Sequence, residues 1–224
     1  MTLPELVAHD LVELSIFPLP QATLFPGAVL PLHVFEPRYR EMVRDALAGR
    51  GLIAVARLKP GFEDDYEGRP PVFEVCGVGA IETCSQRNDG RFDLTLRGLS
   101  RVRIVEELPP LRPFRQVRAE PLESIAPAPA LVAAWLSKLG ALWGRLAPHL
   151  PEPVRDLKAL TRGADDASAY SDRLAAALVA DPDVGQALLE ETDPAERLRL
   201  LTARVQELVD ALTPGSVARD NALN

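Results

Sequence analysis

The residue pairs and clusters in this chain that are capable of chemistry are few, and each fails on spacing. Ser137-Lys138 would supply a nucleophile and a base. The two are adjacent on a predicted helix, where neighbouring side chains diverge by roughly 100°, so they cannot face one another and are expected at the surface. Glu63, Asp64, Asp65 and Glu67 could hold a hard cation, but they lack calcium-loop spacing and read as a solvated acidic loop. Gly77-Val78-Gly79 hints at a dinucleotide loop. A third glycine would have to stand at Glu82, and a strand follows instead of a helix, so the glycines read as a bulge or close packing within a sheet. No Gly-Lys pair occurs anywhere, which excludes a Walker phosphate loop. Cys76 and Cys84 are too few for a zinc framework and are expected as two buried thiols rather than a disulfide. Cys76 has neither a neighbouring histidine nor a helix N-terminus to activate it. His9, His33 and His149 stand in unrelated contexts. No catalytic residue, metal site or cofactor is assigned.

Binding candidates are better supplied. From Arg97 to Arg118 there are six arginines (97, 101, 103, 112, 115, 118) against Glu106 and Glu107, a local charge of +4 on a chain of net charge −7. Arg97, Arg101 and Arg103 lie on a predicted strand, with Arg101 and Arg103 opposite Val102 and Ile104. They form either a solvated face paired with local acids or a patch for an acidic partner or RNA. The overall acidity disfavours nucleic acid and anionic membranes. A second group, Phe25, Glu36, Arg38 and Tyr39, lies around a turn and a helix start. It reads as helix entry plus packing, with ligand contact as the alternative.

The elements that must position these residues follow from patterning. Phe25-Pro26-Gly27 is a turn in which glycine tolerates positive φ. Val29 to Phe35 is strand-like, with Pro31 suited to an edge or a strand start. Pro37 fits a first helical position, Tyr39, Met42, Val43, Ala46 and Leu47 follow at helical spacing, and Gly49 stops the helix. Leu14 to Leu19, Leu52 to Leu58 and Val72 to Thr83 are further strands, and Asn88-Asp89-Gly90 marks a hairpin. Phe92, Leu94 and Leu96 alternate with polar residues as a half-buried strand does. Such strands with one helix predict a small curved sheet or a partly open barrel.

Composition changes near Ser124, and Ala126-Pro127-Ala128-Pro129 forms a boundary. Beyond it come helical stripes: Leu131 to Leu146, a second around Leu174, and a third from Leu198 to Leu212. Pro148, Pro151 and Pro153 break the first, and Asp181-Pro182 and Asp193-Pro194 each set a cap before proline. The residues after Pro214 are expected to fray. The expected fold class is α+β, with a β-rich lobe over residues 1–123 and an all-helical lobe over 124–224. No secretory signal or membrane span is visible, so a cytoplasmic protein without membrane contact is expected.

Residues Leu24 to Val43, with the sequence LFPGAVLPLHVFEPRYREMV, resemble the opening of the Lon protease N-terminal, substrate-binding domain in the form found in stand-alone bacterial proteins. The likeness extends through Asp89-Gly90-Arg91 and Leu96 to Ile104. It continues in Leu188-Leu189-Glu190, Asp193 and Glu196-Arg197-Leu198. It implies a PUA-like β-rich lobe followed by a helical lobe, without the ATPase and Ser-Lys peptidase of full Lon proteases. A helical lobe beside a curved sheet offers a groove for extended chain. The resulting expectation is a non-catalytic module that recognises unfolded polypeptide or a protein partner. It would act as an adaptor in proteolysis or quality control, with a protease as a candidate partner. The alternative is an RNA- or acidic-partner-binding protein using the arginine run. The oligomeric state is left open.

Overall fold

The computed structural model describes residues 4–65 and 68–212. Glu67 and the residues after Pro214 fall outside that range. The chain divides into two compact units: residues 1–123 with 178–192, and residues 124–177 with 193–224. The first unit therefore takes in a segment from late in the sequence, so chain order and compact units do not coincide.

The first unit is built on six strands: β1 (Leu14–Leu19), β2 (Val29–Val34), β3 (Leu52–Arg57), β4 (Val75–Gln86), β5 (Phe92–Glu107) and β6 (Arg115–Pro121). Their order is β2-β5-β4-β3-β1-β6, and β5 also pairs with β6. The expected curved sheet thus closes on itself: β5, β4, β3, β1 and β6 form a ring, and β2 is added outside it along the first half of β5. Only β1 and β3 run parallel. The sequence reading marks no separate strand over 115–121. Its apolar positions are few, and burial of Val117 and Ala119 comes from pairing with both β1 and β5.

The ring is covered on both faces, which explains why β3 reads as an unbroken apolar run. Ala54 and Ala56 turn to one side with Leu14, Ile16, Cys76, Val78, Val102 and Val117. Ile53 and Val55 turn to the other, where helix α1 (Pro37–Ala48) contributes Tyr39, Met42 and Val43. α1 starts as expected, with Glu36 extended at its N-cap and Pro37 in the first turn, and it stops at Gly49. Phe25 to Ala28 form a turn: Ala28 N–H donates to Phe25 O at 3.1 Å, and Gly27 has φ 76°, as the third residue of a type II turn requires. Gly27 N–H then donates to Gly98 O and Gly98 N–H to Ala28 O, each at 2.9 Å. This is a glycine-led β-bulge, and it sets the register of β2 on β5.

The second unit is helical: α2 (Pro129–Leu146), the short α3 (Glu152–Arg155) and α4 (Leu157–Leu160), α5 (Ala167–Leu178), and, after an intervening helix α6 (Pro182–Glu190), α7 (Pro194–Ala211). Leu139, Leu142, Trp143 and Leu146 of α2, Leu174 of α5, and Leu198, Leu201, Val205 and Val209 of α7 are buried. Leu131 is exposed, so the apolar stripe of α2 is buried only in its second half. Ser137 and Lys138 are at the surface, with the Lys138 ammonium over the Trp135 ring at 5.4 Å. α6 (Pro182–Glu190) belongs to the first unit. Both Asp-Pro starts are realised: Asp181 accepts from Asp183 and Val184 N–H, and Asp193 from Ala195 N–H. Among the described residues no helix is long and apolar enough to cross a membrane. Among them, too, no group of three or more His, Cys, Asp or Glu is placed to hold a metal ion.

Candidate polypeptide-binding site

The turn at Phe25 and the strand after it position one face of the first unit. Leu24 and Phe25 are buried, and their carbonyl oxygens press against strand glycines. A Cβ at Gly77 would lie 1.8 Å from Leu24 O, and one at Gly98 would lie 2.0 Å from Phe25 O. Gly77 and Gly79 thus serve close packing, beside an irregularity in register between Val78 and Gly79. Phe25 is an anchor of this crossing and not a surface contact.

The crossing delivers β2 with its apolar residues split between two sides. Leu30, Leu32 and Val34 turn to the core, while Val29, Pro31 and His33 are exposed. Phe35, just past the strand, is 57% exposed and stacks near the His33 ring at 6.2 Å. Pro31, His33, Asp93, Thr95, Thr83 and Ser85 line an open groove of about 550 Å³ on the outer face of β2, β5 and β4. Its floor is set by cross-strand pairs: the Thr83 and Thr95 hydroxyls are 2.7 Å apart, and the His33 ring nitrogen Nδ1 is 2.7 Å from the Asp93 carboxylate. Asp93 also accepts from the Arg87 guanidinium at 2.5 Å. Those hydrogen bonds, Arg87's first and His33's second, hold the Asp93 carboxyl below the usual carboxylate range. Cys84 lines the same groove and is exposed, which corrects the expectation of two buried thiols. Its position near the strand end, past the buried stretch of β4, puts it in solvent. Cys76 is buried, and both thiols are free.

A second cleft, of about 310 Å³, gathers Arg38 and Tyr39 with Arg69, Arg112, Phe114 and Arg115. Arg38 is bonded to Glu36 at 2.9 Å, and its guanidinium lies 4.7 Å from the Tyr39 ring centroid. Tyr39 itself is buried against Phe17, with ring centroids 4.5 Å apart. Arg115 is buried and bonded to both Glu107 oxygens at 2.7 Å and to Pro70 O. Arg112 is 3.4 Å from Asp45. Arg69 is 3.4 Å from Glu107, so each guanidinium group of the cleft is matched with a nearby carboxylate.

The rest of the arginine run is dispersed. Arg97 forks onto Glu82 at 2.9 and 3.1 Å, Arg118 bonds Glu106 at 2.9 Å, and Arg103 is 3.9 Å from Glu120. Arg101 is 3% exposed and donates to Leu189 O at 2.9 Å. It shares the task of seating α6 with Arg57, which reaches Pro182 O and the Asp183 carboxylate, and with Gln186, which donates to Val75 O. The alternation expected Arg101 and Arg103 on one strand face, either solvated and paired with local acids or open to an acidic partner or RNA, yet only Arg103 is exposed. The residue that buries Arg101 is 88 positions away, and no local pattern signals it. The run is not one open cationic patch. The exposed side of β2 carries no charge signature, and its sign in the sequence is Pro31 within an apolar strand.

Residues 13–207 match the family described as the ATP-dependent protease La (LON) substrate-binding domain. The chain is 28% identical over 209 residues to a Lon protease of Desulfovibrio desulfuricans, covering 89% of this chain and 23% of that protein. It is 26% identical over 209 residues to Lon protease 2 of Herpetosiphon aurantiacus, covering 93% and 25%. It thus spans about a quarter of the length of these curated relatives. Among solved structures it is similar to the N-terminal domain of Mycobacterium avium complex Lon protease, with TM-score 0.67 and 18% identity over 87% of this chain and 98% of that one. It is also similar to a Lon N-terminal domain protein from Xanthomonas campestris, with TM-score 0.58 and 27% identity over 86% and 98%.

Proposed function

The chain belongs to the LON substrate-binding domain family, and from that premise we propose that it recognises unfolded or extended polypeptide, without catalysis of its own, as an adaptor in proteolysis or quality control. The observation that carries this reading is the outer face of β2. Val29, Pro31 and Phe35 expose apolar surface beside an open groove of about 550 Å³. Grooves of this kind suit extended chain, because alternate side chains of a peptide find apolar contact while its backbone stays accessible. The matched carboxylates around the arginines support polypeptide over RNA as the ligand, since phosphate binding would have to displace ion pairs already made.

The test is binding of reduced, carboxymethylated α-lactalbumin, a permanently unfolded protein, followed by fluorescence anisotropy. Apolar contact predicts an affinity that changes little between about 50 and about 200 mM salt, whereas phosphate-led binding falls steeply over that range. Absence of any complex with the unfolded protein, alongside a salt-sensitive complex with RNA, would overturn the proposal.

A further inference from the structure

We infer that β2 takes up an extended segment of client polypeptide as an added antiparallel strand, so that main-chain hydrogen bonding supplies much of the affinity. The inference rests on the function proposed above and specifies how that site works. Its basis is the hydrogen-bond register of β2. Gly98 N–H donates to Ala28 O, so at the bulge the Ala28 carbonyl faces β5. With Val29 opposite Arg97, Leu30 opposite Leu96 and so on to Val34 opposite Phe92, the bonded positions are the even ones. The main-chain groups of Leu30, Leu32 and Val34 are therefore spent on β5. Those of Val29, Pro31 and His33 point away from it. Among the described residues β2 pairs with β5 alone.

Pro31 falls on the outward set, so its missing N–H costs the β2–β5 ladder nothing. It also selects the occupant. A foreign strand could exchange paired hydrogen bonds with Val29 and with His33 and donate once to Pro31 O. A second copy of β2, paired about its own centre, would set Pro31 against Pro31, where neither ring nitrogen can donate. The edge is thus guarded against self-association yet open to a chain whose own backbone is complete. The added strand's side chains on the groove face would lie beside Val29, Pro31 and His33, which favours apolar and β-branched residues at alternate client positions.

The probe is a lysine-flanked peptide of alternating valine and threonine, compared with two N-methylated forms. Methylation at alternate residues blocks one edge of the peptide and leaves the other able to pair. Methylation at consecutive residues blocks both while keeping the chain extended. Strand addition predicts that the alternately methylated peptide binds like the parent and that the consecutively methylated one loses about tenfold or more in affinity, as loss of several hydrogen bonds requires. His33→Pro, which removes an outward donor, should weaken the parent peptide several-fold with little change in melting temperature. If His33→Pro lowers the melting temperature, the peptide comparison decides. Equal binding of both methylated forms overturns strand addition, as does failure of the parent peptide to bind while carboxymethylated α-lactalbumin still does; in either case polypeptide recognition stands. Failure of both the peptide and the unfolded protein overturns the proposed function as well.

Discussion

The Arg197 guanidinium lies 3.6 Å from the Asp172 carboxylate, and both side chains are shut off from solvent. Arg197 also reaches the Ser171 hydroxyl at 2.9 Å, Ser168 at 2.6 Å and Ser124 at 3.3 Å. The charge of this α7 side chain is thus met by the Asp172 carboxylate and by the hydroxyls of Ser171, Ser168 and Ser124, which α5 and the segment before α2 contribute. Removing one partner from such a pair strands the other, which costs about 3–5 kcal/mol. Arg197→Ala should therefore lower urea-unfolding stability by that amount. The double variant Arg197→Met, Asp172→Leu, which removes both charges and keeps volume, should recover a large part of it.

Two glycines hold the crossing of the Leu24–Phe25 segment over the sheet. Gly77→Ala and Gly98→Ala each place a methyl group 2.0 Å or less from a backbone carbonyl oxygen that cannot turn aside. Each should destabilise by about 2 kcal/mol or more, as overpacking does. Gly27→Val forces a branched residue to φ 76° and should cost about 1 kcal/mol or more. Gly140 is the contrast: within α2 and with open space around its Cα, Gly140→Ala should raise stability by about 0.5–1 kcal/mol. Thermal melts of the four variants test the ranking.

Elements with local causes could be read from the sequence. Pro37 and Gly49 bound α1, Gly27 and Gly90 take the positive φ expected at their turns, and Asp181 and Asp193 cap the helices that follow them. What depended on distant chain could not. β6 is a strand because β1 and β5 flank it, α6 packs with the sheet unit because Arg57, Arg101 and Gln186 reach it, and the Gly27 bulge against Gly98 fixes which backbone groups of β2 face away from β5. Of the site candidates, Phe25, Tyr39 and Arg101 have the right types for binding, but burial assigns them internal contacts.

The proposed lack of catalysis has a direct check. The sequence contains no Gly-Lys pair for a phosphate loop, and Ser137 and Lys138 sit exposed at adjacent helical positions. The purified protein is expected neither to hydrolyse ATP nor to cleave casein. ATP turnover that persists through purification and is lost on a point substitution in this chain would contradict the assignment.

The two thiols should separate by reactivity and by pH. Cys84 is exposed, while burial pushes the Cys76 thiol from its ordinary value of 9.0 up to about 12. A disulfide reagent should modify Cys84 in the native protein and Cys76 only after unfolding. Because the folded state holds the Cys76 proton more tightly than the unfolded one, its contribution to stability is complete below pH 9.0 and is lost as pH rises toward about 12. Within that window the decline attributable to this thiol approaches about 1.4 kcal/mol per pH unit. Denaturation curves of Cys76→Ala should show a shallower alkaline decline than the parent, whatever the offset between the two at neutral pH.

Arg101 and Arg103, two residues apart on β5, should respond differently to the same substitution. Arg101 is buried and donates to Leu189 O at the end of α6, so glutamine there leaves a buried carbonyl without its charged donor. The expected loss is about 1–3 kcal/mol. Arg103 is exposed and 3.9 Å from Glu120, an ion pair of the kind that contributes about 0–1 kcal/mol, so Arg103→Gln should be close to neutral. Neither variant should alter binding of unfolded protein once the fraction folded is taken into account. If both were neutral to stability and both abolished a salt-sensitive RNA complex, the arginines would be a phosphate-binding face, and the buried bond between Arg101 and α6 would not be what selects that residue.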